Sequence, residues 1–507
     1  MRHSGLRCMP YWSRRLLHGV GLVIVLALVF LWLGVALAEQ GGKRGRDKVP
    51  KGSSGVPAQN LFFTNVPAHP LDLILGRPTR DSVTLNVLAW QDIEGCLAYG
   101  VQPGKYSSTT PTKRLKKGQP EELVIGSLQP NTRYYYQFRS RPDPHRPFNN
   151  SPEYTFHTQR SPGMAFTFTV TADSHLDERT NPALYQQTMI NALADSPDFH
   201  IDLGDTFMTE KHNTREKAAR QYLAQRYYFG LLGHSAPVFL ALGNHDGESS
   251  RERDGTPRSP AVWANAMRKR YFPNPVPDNF YTGNATKDPF AGLLQDYYAW
   301  EWGDALFIVL DPYWFASRQR GGSDNWNRSL GAEQYRWLKH ALEQSSAKFK
   351  FVFIHHLVGS GTREGRGGAE AAKLFEWGGC NADGSDGFRE HRPDWPAPIH
   401  QLLVQNHASI VFHGHDHFFA KQDLDGIVYQ LVPQPGLQRY GTARNAQEYG
   451  YIQGVILGGA GHLRIRVDGA KAKVDYVLSC LPADENTARQ NGVVAYSYAA
   501  ESHRQGS

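Results

Sequence analysis

The apolar positions of this chain fall into short runs whose texture changes once. Over residues 61–158 they alternate with polar positions, in 82–90 (SVTLNVLAW), 97–100, 122–128, 132–140 (TRYYYQFRS) and 153–158. Turn residues separate the runs, which predicts a β-sandwich of about 100 residues. Beyond 159–163 the runs become continuously apolar and end abruptly in polar residues. FTFTVTADSH stops at His175, DFHIDLGD at Asp205, VFLALGNHD at Asp246, FKFVFIHH at His356 and SIVFHGHDH at His417. Strands of that kind fit a sheet covered on both faces, and their carboxyl ends converge on a common crevice. Helices are predicted between them over 182–194, 214–232, 331–344 and 397–406, with strands over 297–302 and 305–310 and a hairpin over 465–479 turning at Asp468-Gly469. The resulting division is an all-β unit over 61–160, an α/β unit over 164–480, and a loosely held tail over 481–507. Two long stretches, 247–294 and 357–398, each follow a polar tip, and loops of that length are expected to form the rim of a pocket.

The first residues add a different signal. A basic segment ending in Arg14-Arg15 precedes an apolar run over 20–37 and then Ala36-Leu37-Ala38, the order of a secretory leader with a cleavage site after Ala38. The run is also close to the length of a membrane span, so an uncleaved anchor over 1–38 is the alternative. Either reading places the remainder in an extracytoplasmic compartment, whether periplasmic, secreted or anchored facing outward, behind a flexible basic linker over 39–60. The formal charge of +7 changes meaning once it is located. Residues 1–57 carry nine basic side chains against Glu39 and Asp47, and the rest of the chain is balanced. The folded part therefore has no bias toward polyanions, and no nucleic-acid partner is indicated. Of the four cysteines, Cys8 precedes the apolar run. Cys96, Cys380 and Cys480 permit at most one internal disulfide, with Cys380 and Cys480 a possible pair. None lies beside a polar tip, which excludes a thiolate metal site.

The tips supply Asp173 and His175, Asp205, Asn244 with His245 and Asp246, His355 and His356, then His413, His415, Asp416 and His417. Carboxylate, imidazole and amide oxygen suit borderline divalent metals such as Mn, Fe or Zn, and there are donors enough for two ions. Each motif alone is as readily a turn or a cap. Their joint occurrence, each after a buried strand, points to a metal site.

In this order the motifs resemble the calcineurin-like metallophosphoesterase superfamily. Its D-x-H, G-D, G-N-H-D/E, H and G-H-x-H are matched by Asp173-Ser174-His175, Gly204-Asp205, Gly243-Asn244-His245-Asp246, His355 and Gly414-His415-Asp416-His417. The stretch from Leu128 through Pro130 and Thr132 to Tyr134 is similar to the L-x-P-x-T-x-Y of fibronectin type III domains, in which a tyrosine pins the corner between sheets. A fibronectin type III-like domain ahead of the motifs makes the whole resemble the purple acid phosphatase branch. Two slots depart from it, since His175 stands where purple enzymes have glycine and Met208 where they have a tyrosine ligand. A gained imidazole for a lost phenolate implies a non-purple relative.

The resemblance implies a metallophosphoesterase βαβ sandwich, two mixed sheets flanked by helices. It makes Asp173, His175 and His417 ligands of one metal and Asn244, His355 and His415 ligands of the other, with Asp205 bridging. His356 is the alternative to His355, because Leu357 stands where the family often has proline. His413 reads as a hydrogen-bonded structural histidine. Two divalent ions against two carboxylates leave an excess of about two positive charges, which suits a phosphate group. The implied reaction is hydrolysis of a small phosphoester, a monoester or nucleotide, by a metal-bridging water or hydroxide. His245 would be the general acid, oriented by Asp246, with Gly243 permitting the tight turn. A phosphodiesterase or nuclease with the same site is the nearest alternative; a catalytically inert binding or adhesion protein is another.

Overall fold

Strand Val83–Ala89 is buried at every position because it is the middle strand of its sheet. It pairs antiparallel with Leu71–Gly76 on one side and Glu121–Ile125 on the other. A second sheet faces it, built on Arg133–Arg141 paired with Ile93–Gly100 and Tyr154–His157. Leu75, Leu85 and Val87 meet Leu97, Tyr136 and Phe156 between the two layers. The buried Tyr134 hydroxyl accepts the Gln129 N–H at 2.8 Å, tying the start of its strand to the turn before it. These are the contacts of a β-sandwich. The computed structural model describes residues 61–316, 325–359, 365–438, 443–487 and 489–502. The leader, the basic linker and Cys8 lie outside them.

The remaining strands form two mixed sheets. In the first, Val238–Leu240, Phe199–Asp202 and Phe166–Thr171 run parallel, followed by antiparallel Gly461–Asp468, Lys471–Leu478 and Val494–Glu501. The second is centred on parallel Ala305–Val309, Phe349–Ile354, Ile410–His413 and Ile427–Leu431. Their facing sides are aromatic: Phe168 meets Phe307 and Phe351 with ring centroids 5.1 and 5.6 Å apart. Each such buried ring contributes roughly 1.5–3 kcal/mol, and the layer fixes how the two sets of strand ends face one another. The mixed sheets and flanking helices are the α/β architecture expected.

Helix Arg215–Gly233, capped by Thr214, joins the two parts. Its Tyr222, Phe229 and Leu232 share a core with Ile74 and Leu88 of the β-sandwich. Arg226 is fully buried and donates to the Asn86 side chain and to the carbonyls of Asp72 and Asn86. Burial pulls its pKa down to about 10.

Four expectations change. The stretch 247–294 contains a helix, Pro260–Tyr271, whose Ser259 cap and first-turn proline are ordinary start signals. The helix predicted over 397–406 begins later, at Ile399, because Pro398 occupies its cap. The C-terminal tail is not loose throughout: Val494–Glu501 pairs along Lys471–Leu478, with Tyr496, Tyr498 and Ala500 packed on the core at a period of two. Finally, Cys96 and Cys480 are buried and neither is in a disulfide, so the Cys380 and Cys480 pair does not form. No helix among the described residues is long and apolar enough to cross a membrane.

Candidate active site

All five polar tips leave the carboxyl ends of parallel strands, and they meet. The backbone at the tips is bent hard: Asp173, His175, Asp205, His415 and His417 have φ between +42° and +77°. For residues other than glycine this region costs of order 1–3 kcal/mol each, and it persists where surrounding bonds enforce it. Here the first two tips zip together, with Asp173 N–H on the Gly204 carbonyl at 2.9 Å and His175 N–H on the Asp205 carbonyl at 3.1 Å. Two buried glutamines of the joining helix hold them from below. Gln221 donates to the carbonyls of His175 and Thr206, and Gln225 to Ser174 Oγ and the Thr206 carbonyl.

The motif glycines serve close approach. A Cβ on Gly243 would stand 2.0 Å from Asp205 N, and one on Gly204 would stand 2.2 Å from Gly243 N. Gly243 does not have a positive φ, so its role is to let the second and third tips touch rather than to permit a left-handed turn.

The donors gather into two groups, Asp173, His175 and His417, and Asp205, His355 and His415; within each, the ligand atoms lie within 4.8 Å of one another. Asp205 Oδ2 is 3.3 Å from His355 Nε2 and 3.6 Å from His175 Nε2, so it reaches a member of each. His355 Nδ1 lies 2.9 Å from the Leu203 carbonyl, which can only accept. Nδ1 therefore carries a proton, and Nε2 is the nitrogen that faces Asp205. His175 Nδ1 lies 3.3 Å from Asp177 Oδ2 and 3.2 Å from Arg179 Nη2, and Asp177 is itself held by Arg179. Asp173 Oδ2 accepts the His415 N–H at 2.8 Å, which frees Oδ1.

Asp173 Oδ1, His175 Nε2, His355 Nε2 and Asn244 Oδ1 are buried without a hydrogen-bond partner. Orphaned acceptors on buried carboxylate, imidazole and amide groups are a ligand set in search of a cation, and divalent metal ions fit it. The electrostatics agree. Burial alone would raise the Asp173 and Asp205 carboxyls, yet the facing imidazoles hold both well below the usual range. Burial would lower His355, and Asp205 with Asp173 raise it to about 9. The carboxylates thus demand positive charge at this spot.

His245 lies beside the groups with its side chain 23% exposed and Nε2 4.0 Å from Asp205 Oδ2. Its orienting carboxylate is not Asp246. The Asp246 carboxylate is fully buried and accepts backbone N–H groups from Asp205, Thr206, Phe207 and Gly243, so it braces two tips and turns away from the imidazole. Glu210 takes the expected place, with Oε1 2.6 Å from His245 Nδ1. His356 stands outside both groups, on the wall of the same cavity. His413 is also outside them; it is buried and hydrogen-bonds the Gly414 backbone, while its Nε2 has no partner.

The cavity over these tips has a volume of about 660 Å³. His175, Asp205, Asn244, His245, His415 and His417 open onto it, as does the buried Met208 in the slot of the missing phenolate. Arg179, Lys211, Arg251, Arg328 and Arg366 add positive charge to its wall. Three residues of the site escaped the sequence reading: Asp177, Glu210 and Tyr313. For Asp177 a signal existed, a carboxylate two residues after a candidate histidine ligand. Glu210, in the single 3-10 turn Thr209–Lys211, and Tyr313, on a connecting loop, belong to no motif.

Two mixed sheets carry, at their strand ends, imidazole and carboxylate donors that suit divalent metal ions. The sequence profile of the calcineurin-like phosphoesterases matches residues 166–419, and the chain belongs to that family. It is a phosphoesterase. No curated protein matches the sequence. Among solved structures the chain is similar to PhoD, with a TM-score of 0.60 at 16% identity over 85% of this chain and 90% of that one. It is also similar to the purple acid phosphatase PPD1 from seeds of yellow lupin (Lupinus luteus), with a TM-score of 0.55 at 15% identity over 85% and 74%. At these identities the likenesses show a shared fold.

Proposed function

We propose that this protein is an exported phosphoesterase that works with two divalent metal ions on small phosphate monoesters. Asp173, His175 and His417 hold one ion; Asn244, His355 and His415 hold the other; Asp205 is shared. The position of Asp205 Oδ2 within 3.6 Å of a donor in each group carries this reading. When bound, such ions neutralise phosphoryl oxygens and make a water acidic enough to attack at neutral pH.

The chain's own residues do the rest. Arginines and Lys211 on the wall draw an anionic substrate into the cavity. His245 presents Nε2 to the leaving oxygen and delivers a proton there. Glu210 accepts from Nδ1, which keeps the ring in the orientation that leaves Nε2 on the substrate side. The buried Asp246 carboxylate keeps the tips of Asp205 and Gly243 in register. With Met208 in place of a phenolate, the loaded protein is expected to be colourless. Export rests on the leader over 1–38, and cleavage after Ala38 is read by N-terminal sequencing of the mature protein.

The test is phosphate release from a panel of monoesters and diesters, with and without chelator, alongside elemental analysis. Monoester hydrolysis abolished by chelator and restored by Mn, Fe or Zn, with two ions per chain, is the expected result. Release unaffected by chelator, or one ion at full activity, overturns the reading.

A further inference from the structure

The cavity has room for more than a phosphate. Its volume of about 660 Å³ is that of pockets that enclose whole small molecules, roughly 300–1,000 Å³. Arginines and Lys211 on its wall suit the phosphoryl group, and the organic part of a monoester needs a surface of another kind. One aromatic side chain on that wall comes from outside the catalytic part. Phe62 lies ahead of the first β-sandwich strand, Leu71–Gly76, yet its half-buried ring lines the cavity. The backbone brings it there. Phe62 bridges antiparallel to Asp177, and the Phe63 N–H donates to the Leu176 carbonyl at 2.7 Å. Asp177 is the carboxylate facing His175, so this segment is fastened to the loop of a candidate metal ligand. Because the main chain makes that fastening, the Phe62 ring is free for another use, and its apolar surface gains by being covered.

The ring rests on His212, with centroids 4.1 Å apart and planes 34° from parallel. His212 is held in turn. Its Nε2–H donates to Gln221 Oε1 at 2.6 Å, while the Gln221 amide nitrogen serves the carbonyls of His175 and Thr206. This pair belongs to the leaving-group side of the cavity. The His212 N–H closes the turn Thr209–Lys211 on the Thr209 carbonyl at 3.3 Å. The same turn carries Glu210, whose carboxylate lies 2.6 Å from His245 Nδ1, and it follows Met208, also on the cavity wall. A leaving group protonated by His245 therefore departs beside a turn that ends in two stacked rings.

We propose that Phe62, backed by His212, stacks on a planar aromatic leaving group, so that this wall selects aryl or nucleoside monoesters over alkyl ones. The proposal rests on the phosphomonoesterase reading above. Aromatic rings attract one another beyond the area they bury, whereas a small alkyl group leaves the Phe62 ring uncovered.

The experiment is calorimetric titration of the full chain loaded with Mn²⁺, using three probes that cannot be hydrolysed: methylphosphonate, phenylphosphonate and the phosphonate analogue of adenosine monophosphate. Wild type, Phe62→Leu and Phe62→Tyr are compared at matched metal content. Phe62→Leu keeps apolar bulk and loses the flat ring; Phe62→Tyr keeps the ring. Wild type is expected to bind a ring-bearing probe about tenfold more tightly than methylphosphonate, Phe62→Tyr to keep that preference and Phe62→Leu to lose most of it. A preference confined to phenylphosphonate assigns aryl esters, and one confined to the adenosine probe assigns nucleotides. No binding of any probe by wild type, no preference for either ring, or a preference undiminished in Phe62→Leu overturns the proposal. A wild type with a Phe62-dependent preference that releases phosphate from no monoester keeps the stacking surface and removes the enzymatic reading, so the two fail separately.

Discussion

In the β-sandwich, the buried polar side-chain atoms without a partner, Arg77 Nε, Asn131 Oδ1 and Arg139 Nε, lie on three separate segments. In the catalytic part, five of the eleven such atoms among the described residues, Asp173 Oδ1, His175 Nε2, Asn244 Oδ1, His355 Nε2 and the Tyr313 hydroxyl, gather around two donor groups and the cavity beside them. The backbone tells the same story. Left-handed residues of the β-sandwich, Arg77, Ser127 and Asn131, turn the chain between strands, whereas those of the tips aim donors at one another. A buried group without a partner is a tolerated defect when isolated. Five of them converging, two on strained backbone that helix Arg215–Gly233 props from behind, are a site.

That contrast makes predictions that separate chemistry from stability. Asp205→Ala should have the largest effect, removing both metal ions and lowering turnover by at least about 10⁴-fold, because the shared carboxylate belongs to both groups. Two ions retained by elemental analysis would refute its bridging role. His245→Ala should lower turnover by about 10²- to 10⁴-fold with the metal content intact. Turnover equal to wild type would end its assignment as the acid.

The two carboxylates near it sharpen the comparison. Glu210→Gln should cost about tenfold in turnover and alter the pH profile, with an unchanged melting temperature. Asp246→Asn should instead destabilise the fold by about 3 kcal/mol, since its oxygens serve four backbone donors in a fully buried place. The reverse pattern in calorimetry and kinetics would restore Asp246 as the partner of His245. Smallest of all, Tyr134→Phe in the β-sandwich should lose about 1 kcal/mol with kcat/KM unchanged. A kinetic effect there would show that the β-sandwich acts on the site.

Much of the site was legible because each donor follows a buried strand, and that pattern is local. Asp173, His175, Asp205, Asn244, His355, His415 and His417 could all be named from runs of ten residues or fewer. The helix Pro260–Tyr271 and the edge strand Val494–Glu501 also carried local signals, a Ser-Pro start and a period of two. Glu210 was not legible, since nothing near it in sequence says that a short turn brings it to an imidazole 35 residues away.

The sequence by itself determined which side chains can bind metal and that they end strands of one α/β unit. Periodicity and residue chemistry are properties of short windows. Only the tertiary structure decided the division of labour among them. It drew four backbone N–H groups around Asp246 and so took it from His245, gave that histidine to Glu210, and left the Tyr313 hydroxyl buried without a partner. Those outcomes depend on which groups from distant segments fill each other's hydrogen-bonding capacity first, and no window of sequence contains that competition.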